Sequence, residues 1–298
     1  MNQQKEVPTE IRVRFAHAVM THLAETHNLD VLHVKGPAVA AGLRPEFTSS
    51  QDADVLVRPS HLQQFLDVMA DHGWFRLTGF TTGSAFEHAA VYHHDSWSSV
   101  DVHRRWPGFD MSPEVAFDLL WQKRDFAQIA EVSCPVPSRA AQSLILILHA
   151  ARAPYEHVRK RAITHAWDGQ DADFQSDVLT LVEELNAEVG FAFGLGQGET
   201  VAHRPGARLW STASDDTSRL AQWQARIAEA PTKRDAVRIT VQSMLVSRDH
   251  LRFELGRPPT NADVVREFGL RTRKGLHEVV RVSGAGLARL RRKVGGAK

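Results

Sequence analysis

The 298-residue sequence predicts an α+β protein, with strands and helices mixed over residues 1–137 and an all-helical part over 138–298. Three observations carry that reading. Short apolar runs, some with period-two alternation, such as Val55-Leu56-Val57 and Val100/Val102, crowd into the first part. Pro135 and Pro137 interrupt the chain after the last of these runs. Beyond Ser138 the apolar residues recur at helical spacing in nearly every segment.

Residues 8–28 read as an amphipathic helix, with Pro8 and Thr9 as start signals and Ile11, Phe15, Val19 and Leu23 as its apolar stripe. Asn28-Leu29-Asp30 breaks it, and Val31–Val34 is a short strand. Lys35-Gly36-Pro37 then turns the chain into a helix expected to reach about Leu43. Pro37 suits the first helical position, where its missing N–H costs nothing. A loop over 44–51 carries Ser49 and Ser50, and Asp52-Ala53-Asp54 opens a strand through Val57. Pro59-Ser60 caps a helix over 61–72, with Leu62, Phe65, Leu66 and Met69 on one face and Gly73 at its end. Trp74–Leu77 reads as an edge strand, and 86–93 and 98–104 as antiparallel strands joined around His94-Asp95. A helix at 113–123 and a last strand at 126–132 complete the first part. The helices expected beyond it span 139–152, 156–167, 174–189, 214–229, 233–248 and 260–268.

Composition bounds the function. A net charge of +1 and a pI near 8.1 exclude a body that binds nucleic acid by charge alone. The single cysteine, Cys134, excludes an intramolecular disulfide and a cysteine-rich zinc site. It is expected half-buried in the turn Ser133-Cys134-Pro135. The start of the chain has no apolar leader-like stretch, and no run of eighteen apolar residues occurs, so a reduced cytoplasmic setting without membrane contact is the default expectation.

The chemistry concentrates between Val31 and Asp101. Residues i and i+2 of a strand share a face, so Asp52 and Asp54 project together. Two adjacent carboxylates repel unless a cation sits between them, and oxygen ligation favours magnesium or manganese. Asp101 lies in a second strand-like segment, Val100-Asp101-Val102-His103. Were that strand a neighbour of the first, it would add a third carboxylate to one site. Alternation places Asp101, His103 and Arg105 opposite Val100 and Val102. Gly36 permits close approach of a ligand to the backbone, and a helix opening at Pro37 would offer free N–H groups to a phosphate.

A strand ending in Lys35-Gly36, a short helix, Ser50-Gln51-Asp52-Ala53-Asp54 on a strand, a helix ending in Gly73 and a later Val100-Asp101-Val102-His103 strand resemble the nucleotidyltransferase fold of the DNA polymerase β superfamily. More narrowly, the chain is similar to the bacterial uncharacterised nucleotidyltransferase family over about residues 25–175. It departs from the family at Thr48, where an arginine is frequent, and at Pro37, where a small or hydroxyl residue is frequent in the superfamily.

That resemblance implies a nucleotidyltransferase domain at 1–137 with a mixed sheet, a helical domain at 138–298, and a cleft between them. It implies transfer of a nucleoside monophosphate from an NTP, ATP first, to an acceptor hydroxyl, with release of pyrophosphate. Asp52, Asp54 and Asp101 would be the catalytic carboxylates and would hold Mg2+ or Mn2+. In two-metal sites the ions clamp the attacking and leaving oxygens. Lys35, Gly36, Ser49 and Ser50 would bind the nucleotide, with Ser50 favoured by its place two residues before Asp52. His103 would be an outer partner of the carboxylates or an acceptor-side contact. His149 and Asp168 match positions that recur in the family, without a chemical role.

The near-neutral body favours a small-molecule acceptor. The basic run from Arg271 to Lys298 favours the alternative, a toxin-like enzyme acting on tRNA or protein. A nucleotide-binding regulator without turnover is the third reading. His88, His93, His94 and His103 raise a zinc hydrolase, but none forms the i, i+4 pair of an HExxH helix. Gly194-Leu195-Gly196-Gln197-Gly198 lacks a preceding strand and a following GK[ST], and reads as an interhelical loop.

Overall fold

A computed structural model describes residues 7–46, 49–80, 86–153, 155–214, 219–230, 232–246, 248–270 and 272–273. Five strands, β1 (Val31–His33), β2 (Asp52–Val57), β3 (Phe75–Thr78), β4 (Ala89–His94) and β5 (Ser98–His103), form one mixed sheet in the order β1-β2-β5-β4-β3. β2 and β5 are parallel, while β1/β2, β5/β4 and β4/β3 are antiparallel. Parallel neighbours need a crossover. Here α2 (Leu62–Asp71), β3 and β4 supply it. β3 is the edge strand that Trp74–Leu77 suggested, shifted by one residue.

Alternation divides the sheet into two faces. Ala53, Val55, Val57, Val100 and Val102 pack with Phe65 and Met69 of α2 and with α1 (Thr9–Thr26). Leu32 and Leu56 point the other way, into a core with Trp106, Phe117 of α3 (Pro113–Gln122), and Leu144, Ile145 and Leu148 of α4 (Arg139–Ala150). α3 and α4 therefore cover the face that also carries Asp52 and Asp54.

α1 spans nearly the expected residues, and of the expected stripe Leu23 is buried and Val19 packs against the core, but the other half is not. Ile11 and Phe15 are exposed, while Val13, Ala16, His17, Met20, Thr21 and Ala24 face inward. Large side chains would hold the helix off the sheet, and the small ones let it lie close against β2 and β5.

Three further expectations are corrected. The helix expected from Pro37 to about Leu43 is a single 3₁₀ turn, Gly36–Ala38, ended by an extended Val39. Gln142 of α4 pins the next residue of the chain, its Oε1 accepting from the Ala40 N–H at 2.7 Å. The last strand is instead a hairpin, β6 (Asp125–Ile129) with β7 (Val132–Val136). Its two turn residues, Ala130 and Glu131, hold φ of 49° and 63°. Such turns normally advertise themselves with Asn or Gly, which is why the sequence concealed this one. Cys134 is fully buried within β7 rather than half-buried in a turn.

The helical part carries more breaks than periodicity foretold. α5 (Glu156–Ile163) runs into a π-helical turn, Thr164–Asp168, and α6 (Ala172–Glu184), α7 (Glu188–Gly194) and α8 (Ala207–Ser214) follow. Two compact units divide at Asp216/Thr217, so the change from strands to helices falls inside the first. The second unit contains α9 (Arg219–Ala228), α10 (Lys233–Met244), α11 (Arg248–Leu255) and a helix at 261–270, with Trp223, Ile239 and Leu251 buried in it. Most of the basic run Arg271–Lys298 lies outside the described residues. Among the described residues no helix is long and apolar enough to cross a membrane.

Candidate active site

Asp54 and Asp101 stand abreast. They are register partners on the adjacent parallel strands β2 and β5, and so project side by side from one face. Asp52 shares that face two residues earlier, opposite Ser99. The conditional third carboxylate is thus a real neighbour of the first two.

Lys35 reaches them because β1 runs antiparallel to β2, which carries the end of β1 back beside the start of β2. The pairing continues one residue past β1, with the Val34 N–H donating to the Asp54 carbonyl at 3.2 Å. Lys35 Nζ lies 2.6 Å from Asp54 Oδ1, and His103 Nε2 donates to the same oxygen at 2.9 Å. Asp54 is 3% exposed and His103 2%, so both bonds are formed away from water.

The charges sort accordingly. Burial by itself would raise the Asp54 carboxyl, but the Lys35 ammonium and the His103 bond override it and hold it well below the usual carboxylate range. Asp101 has neither partner. Burial, then the charges of Asp54 and Asp52, push it up to about 7. Asp52 is raised too, by burial first and Asp54 second, with Lys35 opposing. Burial keeps His103 neutral by lowering its pKa, against the pull of Asp54.

Gly36 holds φ +62°, and a Cβ there would come within 2.8 Å of Ser50 Oγ and 3.7 Å of His17 Nε2. Lys35, Gly36 and Ser50 therefore meet beside the carboxylates. Ser49 is exposed and Ser50 half-buried, with Ser50 the one against Gly36. The short 3₁₀ turn does not build the helix N-terminus expected at Pro37. Arg105 lies beyond β5 and is exposed, donating to the Phe86 carbonyl at 2.5 Å.

The residues present suit a divalent cation. Asp54, Asp101 and His103 each offer one ligand atom, and these lie within 4.8 Å of one another. Asp101 Oδ1 is buried without a hydrogen-bond partner among the described residues. Three clustered carboxylates facing one lysine are short of positive charge, and hard oxygen donors match magnesium or manganese. The proton on His103 Nε2 is spent on Asp54, so that ring orients the carboxylate from outside.

A profile of the family described as uncharacterised nucleotidyltransferase matches residues 10–197, well over half of the chain. The chain belongs to this family. It is a nucleotidyltransferase, and its sheet and carboxylates lie inside the matched span. Solved structures similar to it include the lincomycin-bound lincosamide antibiotic adenylyltransferase LnuA, at 15% identity over 51% of this chain and 94% of that one, with a TM-score of 0.35. An antigenic nucleotidyltransferase-like protein from Paracoccidioides brasiliensis is similar at 12% identity over 70% of this chain and 96% of that one, with a TM-score of 0.36. No curated protein sequence matches the chain.

The carboxylate cluster has neighbours that the sequence did not connect with it. Arg152, just past α4, donates from Nη1 to His88 Nε2 at 3.0 Å. The His88 ring lies 5.3 Å from His103, and His103 lies 4.8 Å from Trp106. Their approach is a product of folding and leaves no mark in chain order. The four clustered histidines do not converge. His94 pairs with Ser98 at one end of the β4–β5 hairpin, whereas His103 pairs with Ala89 at the other. Among the described residues they form no common ligand group.

Elsewhere, Gly194–Gln197 lines a recess of about 600 Å³ with Arg159, Lys160, Trp167 and Asp168. None of the three site carboxylates lines it. Asp168 thus belongs to this recess.

Proposed function

We propose that this nucleotidyltransferase moves a nucleoside monophosphate from an NTP, ATP first, to a hydroxyl of a small acceptor molecule in a magnesium- or manganese-dependent reaction. The observation that carries the reading is the pairing of Asp54 with Asp101 on parallel neighbours, with Asp52 on the same face and Lys35 Nζ at 2.6 Å from Asp54. The near-neutral charge of the chain supports a small acceptor over a polyanionic one.

Asp52, Asp54 and Asp101 would hold the divalent cation, which when bound supplies Lewis acidity at the phosphate oxygens. Lys35 neutralises charge on the polyphosphate. Gly36, lacking a Cβ, lets the Ser50 side chain pack against the turn after Lys35, and from there the Ser50 hydroxyl would donate to a phosphate oxygen near the Gly36 backbone. His103 fixes the Asp54 carboxylate so that it does not rotate as the substrate binds. Asp101 Oδ1, unpartnered among the described residues, takes or steers the proton of the acceptor hydroxyl. A bond forms between the acceptor oxygen and the α-phosphorus, and the bond to the departing pyrophosphate breaks.

The test is pyrophosphate release from each of the common NTPs with magnesium or manganese, wild type against Asp52→Asn and Asp54→Asn. Intact mass is read from the same samples to detect self-labelling. Release by the wild type should fall roughly 10²–10³-fold in either variant, the scale of losing a main electrostatic contact. Full activity in the double variant would refute the carboxylate mechanism.

A further inference from the structure

Beside the carboxylates, one cation makes no direct ion pair among the described residues. Arg152 lies two residues past α4, and its Nε donates to the Leu148 carbonyl at 3.4 Å while Nη1 donates to His88 Nε2 at 3.0 Å. Its guanidinium carbon stands 5.5 Å from the Phe86 ring and 5.8 Å from the Trp106 ring. A guanidinium has five N–H donors. Two are used, so three remain unspent, and Arg152 makes no ion pair among the described residues.

A structural role accounts for part of this. A cation near a helix C-terminus is favourable, and the bond to Leu148 fits that role. It does not account for the free edge. Placing a guanidinium in a desolvated position without a carboxylate is costly, and burial draws its pKa down to about 10 against the opposing field of Asp54. Lys35 is in contact with Asp54 at 2.6 Å, whereas Arg152 feels the Asp54 charge only at longer range and touches no carboxylate among the described residues. The two cations flank the same indole, for Lys35 Nζ lies 6.0 Å from the Trp106 ring. His149, three residues back along the same helical face, keeps a solvent-accessible ring although protein surrounds it. The charge of Lys35 and then burial hold that ring neutral. The exposed His149 places this stretch of chain, next to Arg152, at a surface that solvent reaches.

We propose that Arg152 is a phosphate anchor of this site, its free guanidinium edge receiving a phosphoryl group of the nucleotide's triphosphate. The assignment to the nucleotide rests on the nucleotidyl-transfer reading. The planar fork matches phosphate geometry better than an ammonium does. His88 is a positioning residue, because its Nε2 accepts from Nη1 and fixes the plane of the fork. Its Nδ1, which must then carry the proton, has no partner among the described residues.

The experiment is calorimetric titration of the full chain with magnesium tripolyphosphate, wild type against Arg152→Lys and Arg152→Gln. Arg152→Lys keeps the stem and the charge, and melting curves without ligand report whether each variant folds. Tripolyphosphate should bind Arg152→Lys about tenfold more weakly than wild type, the equivalent of one lost charged bond, and Arg152→Gln more weakly still. In turnover, Arg152→Lys should raise KM for the nucleotide about tenfold with kcat nearly kept. A merely structural arginine would not produce that split. Binding within about twofold of wild type in folded variants overturns the anchor. Weakened tripolyphosphate binding with an unchanged nucleotide KM overturns the assignment to the nucleotide. Should the wild type bind tripolyphosphate through Arg152 yet release no pyrophosphate from any NTP, the transfer reading falls and the phosphate site stands.

Discussion

Two buried polar clusters lie on opposite faces of the β1–β2 edge, and they follow opposite rules. Against α1, His17 Nδ1 and His33 Nδ1 are 2.7 Å apart, His33 Nε2 lies 2.8 Å from Thr21 Oγ1, and Thr21 donates to Cys134 Sγ at 3.1 Å. The direction of the last bond makes His33 Nε2 the donor to Thr21 and His17 Nδ1 the donor to His33. The chain is neutral and passes its protons along in one direction. Across the sheet, Asp52, Asp54 and Asp101 crowd three acids around Lys35, and Asp101 Oδ1 is left without a partner. A neutral network whose groups pair with one another, here all but His17 Nε2, holds a fold together. One that is short of positive charge is stabilised by what binds to it.

Acid should break the first cluster before the second. Burial lowers the pKa of His17 to about 4 from an ordinary 6.5, and lowers that of His33 well below its ordinary value too. Between pH 6.5 and 4 the unfolded chain binds more protons than the folded one, so stability is complete above that window and falls as pH drops through it. For His17 alone the loss is about 3 kcal/mol, the shift multiplied by roughly 1.4 kcal/mol per unit. Denaturant unfolding across this range measures it. A flat profile would mean that His17 titrates in the fold as it does in the unfolded chain.

The second cluster can be sharpened by relieving it. Asp101→Asn keeps the shape and removes one of three crowded charges. In EDTA at pH 8, above the raised pKa of Asp101, the variant should be more stable than wild type by about 1–2 kcal/mol, while in a separate assay with magnesium its transfer is lost. A destabilised variant would show that Asp101 supports the fold rather than the chemistry.

The smallest expected effect isolates the first cluster from function. Thr21→Val keeps the volume but removes the hydroxyl that His33 and Cys134 share. It should cost about 1 kcal/mol of stability with KM and kcat unchanged. A fall in kcat alone would connect the histidine chain to the site through the contact of His17 with the Gly36 turn.

Much of the site was legible because its chemistry is local. A strand forces Asp52 and Asp54 onto one face, and Lys35-Gly36 follows a strand within reach of them. The start of α1 was legible from Pro8 and Thr9, but its buried stripe only in part, with Val19 and Leu23 facing the core and Ile11 and Phe15 not. Periodicity favours the largest apolar side chains, while contact with the sheet selected Ala16, His17 and Thr21. The hairpin around Ala130 and Glu131 was hidden because neither residue signals a left-handed backbone.

By itself, then, the amino-acid order determined where strands yield to helices, which acids share a face, and which lysine accompanies them. These follow from backbone geometry within a few residues. Only the tertiary structure decided that β5 lies parallel beside β2, which turns Asp101 from a distant acid into the register partner of Asp54. It also decided that Arg152 and His88 meet at 3.0 Å across sixty-four positions of chain. Strand order and helix docking are settled by burying whole apolar faces, and that quantity belongs to the assembled protein rather than to any segment of it.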